Sequence, residues 1–179
     1  MNSNAISASG APLGRAKAAV IMLHGRGASA ESMLSFADVF TQADVAYLAP
    51  QAPGSTWYPY SFLAPFEQNE PALSHALETV ASTISRIVSH GLTPQRLVLL
   101  GFSQGGCLAL EYAARNAQRY GGVVGLSAGL IGPPGAPPGP IPARCRARLC
   151  SWAAAMSTST SLWRACTSPP RSCVEWGAR

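Results

Sequence analysis

A glycine-framed serine at residues 101–105 is the feature that most constrains how this chain can fold. The apolar run 97–100 directly precedes it, and residues 104–116 follow with helical spacing. A buried strand, a glycine turn and a helix in this order are typical of a parallel α/β sheet. The glycines permit the strained backbone that a sharp strand-to-helix turn needs. The pattern therefore predicts that Ser103 lies on a sharp turn between a strand and a helix.

Strand and helix patterns alternate along the chain as far as residue 135. Three further apolar runs predict buried strands, at residues 18–23, 45–49 and 122–126. We therefore expect an α/β fold, a parallel sheet with helices on both faces, over residues 18–135. Residues 1–17 are small and polar and are interpreted as a leader. Residues 136–179 show neither a strand pattern nor a helix pattern and are interpreted as a tail outside the fold.

Two helices can be given boundaries from the sequence. Ser29 can cap a helix, whose buried face would consist of Met33, Phe36 and Phe40. A longer helix over residues 70–90 carries an apolar stripe, with Asn69 as the candidate N-cap and Gly91 at its end.

A serine hydroxyl on such a turn suggests nucleophilic chemistry. It becomes reactive when a base takes its proton and hydrogen-bond donors receive the charge on the attacked carbonyl. The N–H of Gln104, directly after the serine, is one candidate donor. The turn His-Gly-Arg-Gly at residues 24–27 follows the first apolar run and offers the Arg26 N–H as the second. The alternative is that glycine and serine are present only because a tight turn needs small residues.

Several stretches resemble the phospholipase/carboxylesterase family of α/β-hydrolases. They are Leu-His-Gly-Arg-Gly at 23–27, Ala-Pro-Gln-Ala-Pro at 49–53, Trp-Tyr-Pro at 57–59, Gly-Phe-Ser-Gln-Gly-Gly at 101–106 and Gly-Leu-Ser-Ala-Gly at 125–129. The resemblance implies a serine carboxylesterase that acts on small esters, lysophospholipids or thioesters without a cofactor. It also implies that Ser103 is the nucleophile, that Arg26 and Gln104 form the oxyanion hole, and that Trp57 lines an acyl pocket.

The same resemblance implies an aspartate turn and a later Gly-His turn, and neither is present. Glu175 is the only acidic residue after Glu111, and no histidine follows His90. We interpret His24 as a structural turn residue, His75 as a solvated helix residue and His90 as a favourable charge near a helix C-terminus. The chain as written is therefore expected to lack a triad and to be inactive or nearly so.

The composition of the tail suggests a change of reading frame. Residues 136–179 hold six arginines, no lysine and four of the 5 cysteines. If codons begin at the third base of each tail codon, residues 145–176 permit a buried strand, an acidic turn and an amphipathic helix. That series resembles the missing part of the family. We therefore predict a frameshift between about residues 135 and 142, with a genuine tail as the alternative.

The charge distribution bears on possible partners. Residues 1–135 carry seven basic and seven acidic side chains, so the formal charge of +5 lies entirely in the tail. We expect no nucleic-acid partner, because aromatic residues are not interleaved with the tail arginines. The tail cysteines match no zinc spacing, and neither a signal peptide nor a membrane span is evident. We expect a cytoplasmic protein with a small ester substrate; the alternative is a non-catalytic binding protein of the same fold.

Overall fold

Strands and helices alternate in residues 5–40 and 42–134, which are the residues that the computed structural model describes. The strands are β1 (Ile6–Gly10), β2 (Ala18–Leu23), β3 (Val45–Pro50), β4 (Leu97–Phe102) and β5 (Gly122–Leu126). The helices are α1 (Ala30–Leu34), α2 (Phe66–Asn69), α3 (Ala72–Ser89) and α4 (Gln104–Arg115). Short 3₁₀ segments lie at Ser35–Val39, Pro53–Ser55 and Pro94–Arg96. The tail predicted for residues 136–179 lies outside the described residues.

The five strands form one sheet in the order β1-β3-β2-β4-β5. All neighbouring pairs are parallel except β1 and β3, which are antiparallel. The chain passes from β2 to β3 on one side and then returns across β2 to β4 on the other. The carboxyl ends of β2 and β4 therefore meet at a topological switch point, which is where open α/β sheets bind ligands.

The leader predicted for residues 1–17 is corrected by the structure. Ile6–Gly10 forms β1 and pairs with β3 in a register that runs from Ile6 opposite Pro50 to Gly10 opposite Ala46. The strand lies at the edge of the sheet and is partly exposed along its length. Such a strand has no need of a continuous apolar run, so its small and polar residues resembled a leader.

Helices cover both faces of the sheet, as the sequence predicted. On one face, buried residues of α3 and α4 pack against Ile21, Leu48 and Leu99. On the other face, Ala30 and Met33 of α1 pack against sheet residues that include Met22. The sheet therefore lies between two apolar layers, and its carboxyl edge stays open for the turns that follow β2 and β4. None of the helices in the described part of the chain is long and apolar enough to cross a membrane.

The helix after Ser29 is shorter than its apolar spacing predicted. Ser29 does cap α1, since its side chain accepts the Ser32 N–H and a reciprocal bond completes a capping box. Beyond Leu34 the backbone tightens into a 3₁₀ segment. The predicted apolar face is therefore broken: Met33 is buried, but Phe36 is 56% and Phe40 is 43% exposed.

Buried tyrosines give the fold a pH dependence on the alkaline side. Burial raises the pKa of Tyr112 from 10.0 to about 12 and also raises the pKa of Tyr58 and Tyr120. A folded-state pKa above the unfolded one stabilises the protein below the unfolded pKa, and this contribution is lost as the pH rises. We expect the free energy of unfolding to decline between about pH 10 and about pH 12.

Urea titrations at a series of pH values, with tyrosinate absorbance as a second signal, measure this decline. The Tyr112→Phe variant should show a shallower decline than the original chain, because it lacks one of the raised pKa values. A free energy of unfolding that stays constant to pH 12 would contradict the assignment.

Candidate active site

Ser103 lies between β4 and α4 in a backbone conformation that few residues adopt. Its φ is 50° and its ψ is −117°, which is outside the allowed left-handed region. Strain of this kind costs about 1–3 kcal/mol and persists where neighbouring contacts hold it. Here the Ser103 N–H donates to the Leu126 carbonyl at 2.8 Å, and the Cys107 N–H donates to the Ser103 carbonyl at 2.9 Å. Half-buried Ser103 thus occupies the sharp strand-to-helix turn that the sequence predicted.

The serine turn packs directly against the turn that follows β2. A Cβ atom on Gly105 would lie 2.5 Å from the His24 carbonyl oxygen, which is too close for any side chain. A Cβ atom on Gly25 would lie 3.6 Å from the Cβ of Ser103 and 3.4 Å from the Phe102 carbonyl oxygen. Glycine at residue 105 is therefore required for the two turns to meet.

The two residues predicted to supply the oxyanion hole lie on these two turns. Gln104 is the first residue of α4, and the first N–H groups of an α-helix have no partner within the helix. Arg26 follows Gly25, whose Cβ position lies 3.6 Å from the Ser103 Cβ. The placement is compatible with two main-chain donors near Ser103, and their role as oxyanion donors stays a prediction.

The side chains of both residues bind the segment 57–60. The Arg26 guanidinium donates to the carbonyls of Pro59 at 2.7 Å, Tyr58 at 2.9 Å and Tyr60 at 2.8 Å. The Gln104 amide is buried; its Nε2 donates to the Tyr58 carbonyl at 2.7 Å, and its Oε1 accepts the Trp57 N–H at 2.9 Å. The sequence did not predict these contacts, because nothing in the motif identifies main-chain atoms 32 to 47 residues away as partners.

His24 is a structural residue, in agreement with its interpretation from the sequence. Its ring is fully buried, with Nδ1 2.8 Å from the Gly25 carbonyl oxygen and Nε2 accepting the Ala52 N–H at 3.1 Å. These partners place the proton on Nδ1, since a carbonyl can only accept. Both nitrogens are therefore occupied, and the ring cannot take a proton from Ser103.

Trp57 is nearly fully buried and supports the turn after β2. Its indole N–H donates to the His24 carbonyl at 2.8 Å, and its ring lies 5.0 Å from the His24 ring, centroid to centroid. Tyr58 is buried beside it, whereas Tyr60 and Leu63 are exposed. The Trp57 indole therefore holds the segment 57–60 against the turn after β2. The predicted role of Trp57 in an acyl pocket stays a prediction.

The other titratable candidates do not form a triad with Ser103. His75 is exposed on α3, and the Nδ1 of exposed His90 lies 2.8 Å from the Arg86 carbonyl oxygen. Glu111 is buried, but its Oε1 accepts from Arg115 at 2.8 Å and its Oε2 accepts the Ile131 N–H at 3.2 Å. Within residues 5–40 and 42–134, no histidine hydrogen-bonds to a carboxylate. The same residues contain no cluster of three or more side chains suited to a metal ion.

Comparison with known proteins identifies the family. A sequence model of the phospholipase/carboxylesterase family matches residues 4–140, a range that contains Ser103, Arg26, Gln104 and Trp57. The chain belongs to the phospholipase/carboxylesterase family. A solved phospholipase/carboxylesterase from Dyadobacter fermentans is 48% identical with a TM-score of 0.71, over 73% of this chain and 62% of that one.

Two further similar proteins extend the comparison. Acyl-protein thioesterase 1 of Emericella nidulans is 30% identical over 137 residues, which are 64% of this chain and 57% of that protein. The chain thus spans little more than half the length of this relative. The solved structure of esterase PE8 is 23% identical with a TM-score of 0.60, over 70% of this chain and 64% of that one, and it supports the fold alone.

Proposed function

We propose that the chain is built for the hydrolysis of carboxylic esters through an acyl-enzyme on Ser103. The observation that carries the proposal is the strained serine turn packed against the turn of Gly25 and Arg26. The Ser103 oxygen would attack the ester carbonyl, and the N–H groups of Arg26 and Gln104 would receive the negative charge of the tetrahedral intermediate. The alcohol then leaves, and water releases the acid from the serine. No cofactor is needed for these steps.

The substrate is expected to be a small ester or thioester with a short or medium acyl chain. The likeness to an acyl-protein thioesterase supports a thioester as one candidate. The exposed side chains of Phe102, at the end of β4, and Tyr60, whose carbonyl binds Arg26, offer an apolar surface to an acyl chain. Trp57 would contribute to that surface from its buried position.

In this proposal Ser103 is the nucleophile and Arg26 and Gln104 are the donors, but none of the described residues can act as the base. His24 is occupied at both nitrogens, and no described histidine is paired with a carboxylate. Serine hydrolases that lose triad residues keep a residual rate from the oxyanion hole and from binding, about 10³–10⁴-fold over water. The chain as written is expected to work at this residual level.

We assign the missing acid and base to a shifted reading frame that begins between about residues 135 and 142. The family match ends at residue 140, within that interval, and arginine becomes denser beyond it, with six arginines in residues 136–179 against six in residues 1–135. The alternative codons permit an acidic turn of the expected kind. A genuine tail would instead favour a non-catalytic binding protein.

Covalent labelling with a fluorophosphonate probe tests the nucleophile. The full chain should be labelled slowly on one site, and Ser103→Ala should abolish labelling, because the serine oxygen is the atom that reacts with the probe. Ser85→Ala, a serine exposed on α3, is the matched control and should leave the rate unchanged. Peptide mapping identifies the labelled serine. An unlabelled chain, or equal labelling of Ser103→Ala, would favour the non-catalytic binding protein.

A further inference from the structure

One main-chain oxygen lies between the side chains of the two oxyanion residues. The Tyr58 carbonyl accepts from Arg26 Nη2 at 2.9 Å and from Gln104 Nε2 at 2.7 Å. A carbonyl oxygen has two lone pairs, so these two donors use its full capacity. Arg26 and Gln104 lie on separate elements, the turn after β2 and the start of α4. The Tyr58 carbonyl is thus a direct link between them.

Further bonds hold the linking segment 57–60 in place. The Arg26 guanidinium also donates to the carbonyls of Pro59 and Tyr60, and the Gln104 Oε1 accepts the Trp57 N–H. From the other side, buried Asn69 accepts the Tyr60 N–H at its Oδ1 at 2.9 Å. The segment therefore has fixed positions relative to both turns, and neither turn can move without breaking bonds to it.

We propose that the side chains of Arg26 and Gln104 are positioning groups that set the spacing between their own main-chain N–H donors. Donors stabilise an oxyanion when they lie about 2.7–3.1 Å from it, and a misplacement of about 1 Å can reduce a rate by about 10²-fold. The link through the Tyr58 carbonyl keeps the two N–H groups within such limits. This inference rests on the proposed function, since it concerns the same oxyanion hole.

The rate of labelling by a fluorophosphonate tests the functional consequence. Gln104→Met removes both amide bonds at similar volume, and Arg26→Met removes the guanidinium. Each variant of the full chain should lower the maximal labelling rate at least about tenfold and leave the half-saturating probe concentration unchanged, because the charge forms after binding. The double variant should be hardly slower than the slower single variant, since either change breaks the same link. Gln68→Met, at an exposed glutamine, should have no effect.

Thermal unfolding of the original chain, the two single variants and the double variant tests the link without any serine chemistry. The melting temperature of the double variant should fall by less than the sum of the two single shifts. Arg26 is exposed, so Arg26→Met is expected to fold even if Gln104→Met does not. In that case the labelling rate of Arg26→Met alone decides whether the inference holds. If the original chain is not labelled, the proposed function is wrong. The melting temperatures of the single and double variants then still show whether Arg26 and Gln104 are linked through the Tyr58 carbonyl. Additive thermal shifts, or unchanged labelling in both single variants, overturn the inference.

Discussion

Restoring the reading frame after residue 135 is expected to raise the rate of ester hydrolysis by at least about 10⁴-fold, because removal of triad residues costs serine hydrolases at least this much in kcat. The described residues already place Ser103 on a strained turn, with candidate donors on two adjoining turns. What they lack is a group that accepts the serine proton. An aspartate and a histidine supplied by the restored frame would provide a base and hold it in the correct tautomer.

The measurement begins with the gene sequence from the codon for Gly129 onward. A missing or additional base near residues 135–142, followed in the restored frame by a Gly-His codon pair, permits the restored protein to be made. Its hydrolysis of a short-chain ester is then compared with that of the present chain, and Ser103→Ala is introduced into both. If the gene sequence confirms the present tail, or the two proteins hydrolyse the ester equally, the frameshift is wrong.

The strands of the fold were predictable where they carry a continuous apolar run. Such runs indicated β2, β3 and β4, which lie inside the sheet between two helical layers, and also β5, which forms one edge of the sheet and is partly exposed. The strand β1 forms the other edge, and its small and polar residues carry no such run. Its pairing with β3 depends on residues some forty positions away, which no local pattern reveals.

Local polar residues gave mixed predictions for the helix ends. Ser29 was assigned correctly as an N-cap because its partner, the Ser32 N–H, is three residues away. Asn69 was assigned to the same role wrongly: Pro71 occupies the N-cap of α3. The Asn69 amide instead bonds the Tyr60 N–H and the Ser61 carbonyl. A buried asparagine can satisfy main-chain groups of another loop as well as those of a helix, and tertiary contact decided between them.

The candidate site was predictable in its motif and not in its supporting contacts. The Gly-x-Ser-x-Gly turn follows a buried strand, so its location at the carboxyl edge could be derived from the sequence. The hydrogen bonds of the Arg26 and Gln104 side chains to residues 57–60 could not be derived from the sequence. Their partners are main-chain oxygen and nitrogen atoms, which residues of every type possess.

Replacement of Gly105 by alanine is expected to lower the free energy of unfolding by about 3 kcal/mol, at the upper end of the usual cost of overpacking. The added Cβ would lie 2.5 Å from the His24 carbonyl oxygen and would also overlap the Leu23 carbonyl. Both obstacles are main-chain atoms at the end of β2, and Leu23 pairs with Gly101 of β4 in the sheet. Neither can rotate away as a flexible side chain could, so α4 must separate from β2.

Separation of α4 from β2 would also move Gln104 away from the turn of Arg26, so Gly105→Ala should lose Ser103 labelling together with stability. Gly14→Ala is the matched control: Gly14 has no atom within 4 Å of its Cβ position and no positive φ. Surface changes of that kind usually alter the free energy of unfolding by less than about 0.5 kcal/mol. Urea unfolding of both variants measures the difference directly. If Gly105→Ala proves as stable as Gly14→Ala, the close contact between the serine turn and β2 does not constrain the fold, and the proposed placement of Arg26 and Gln104 as oxyanion donors loses its structural basis.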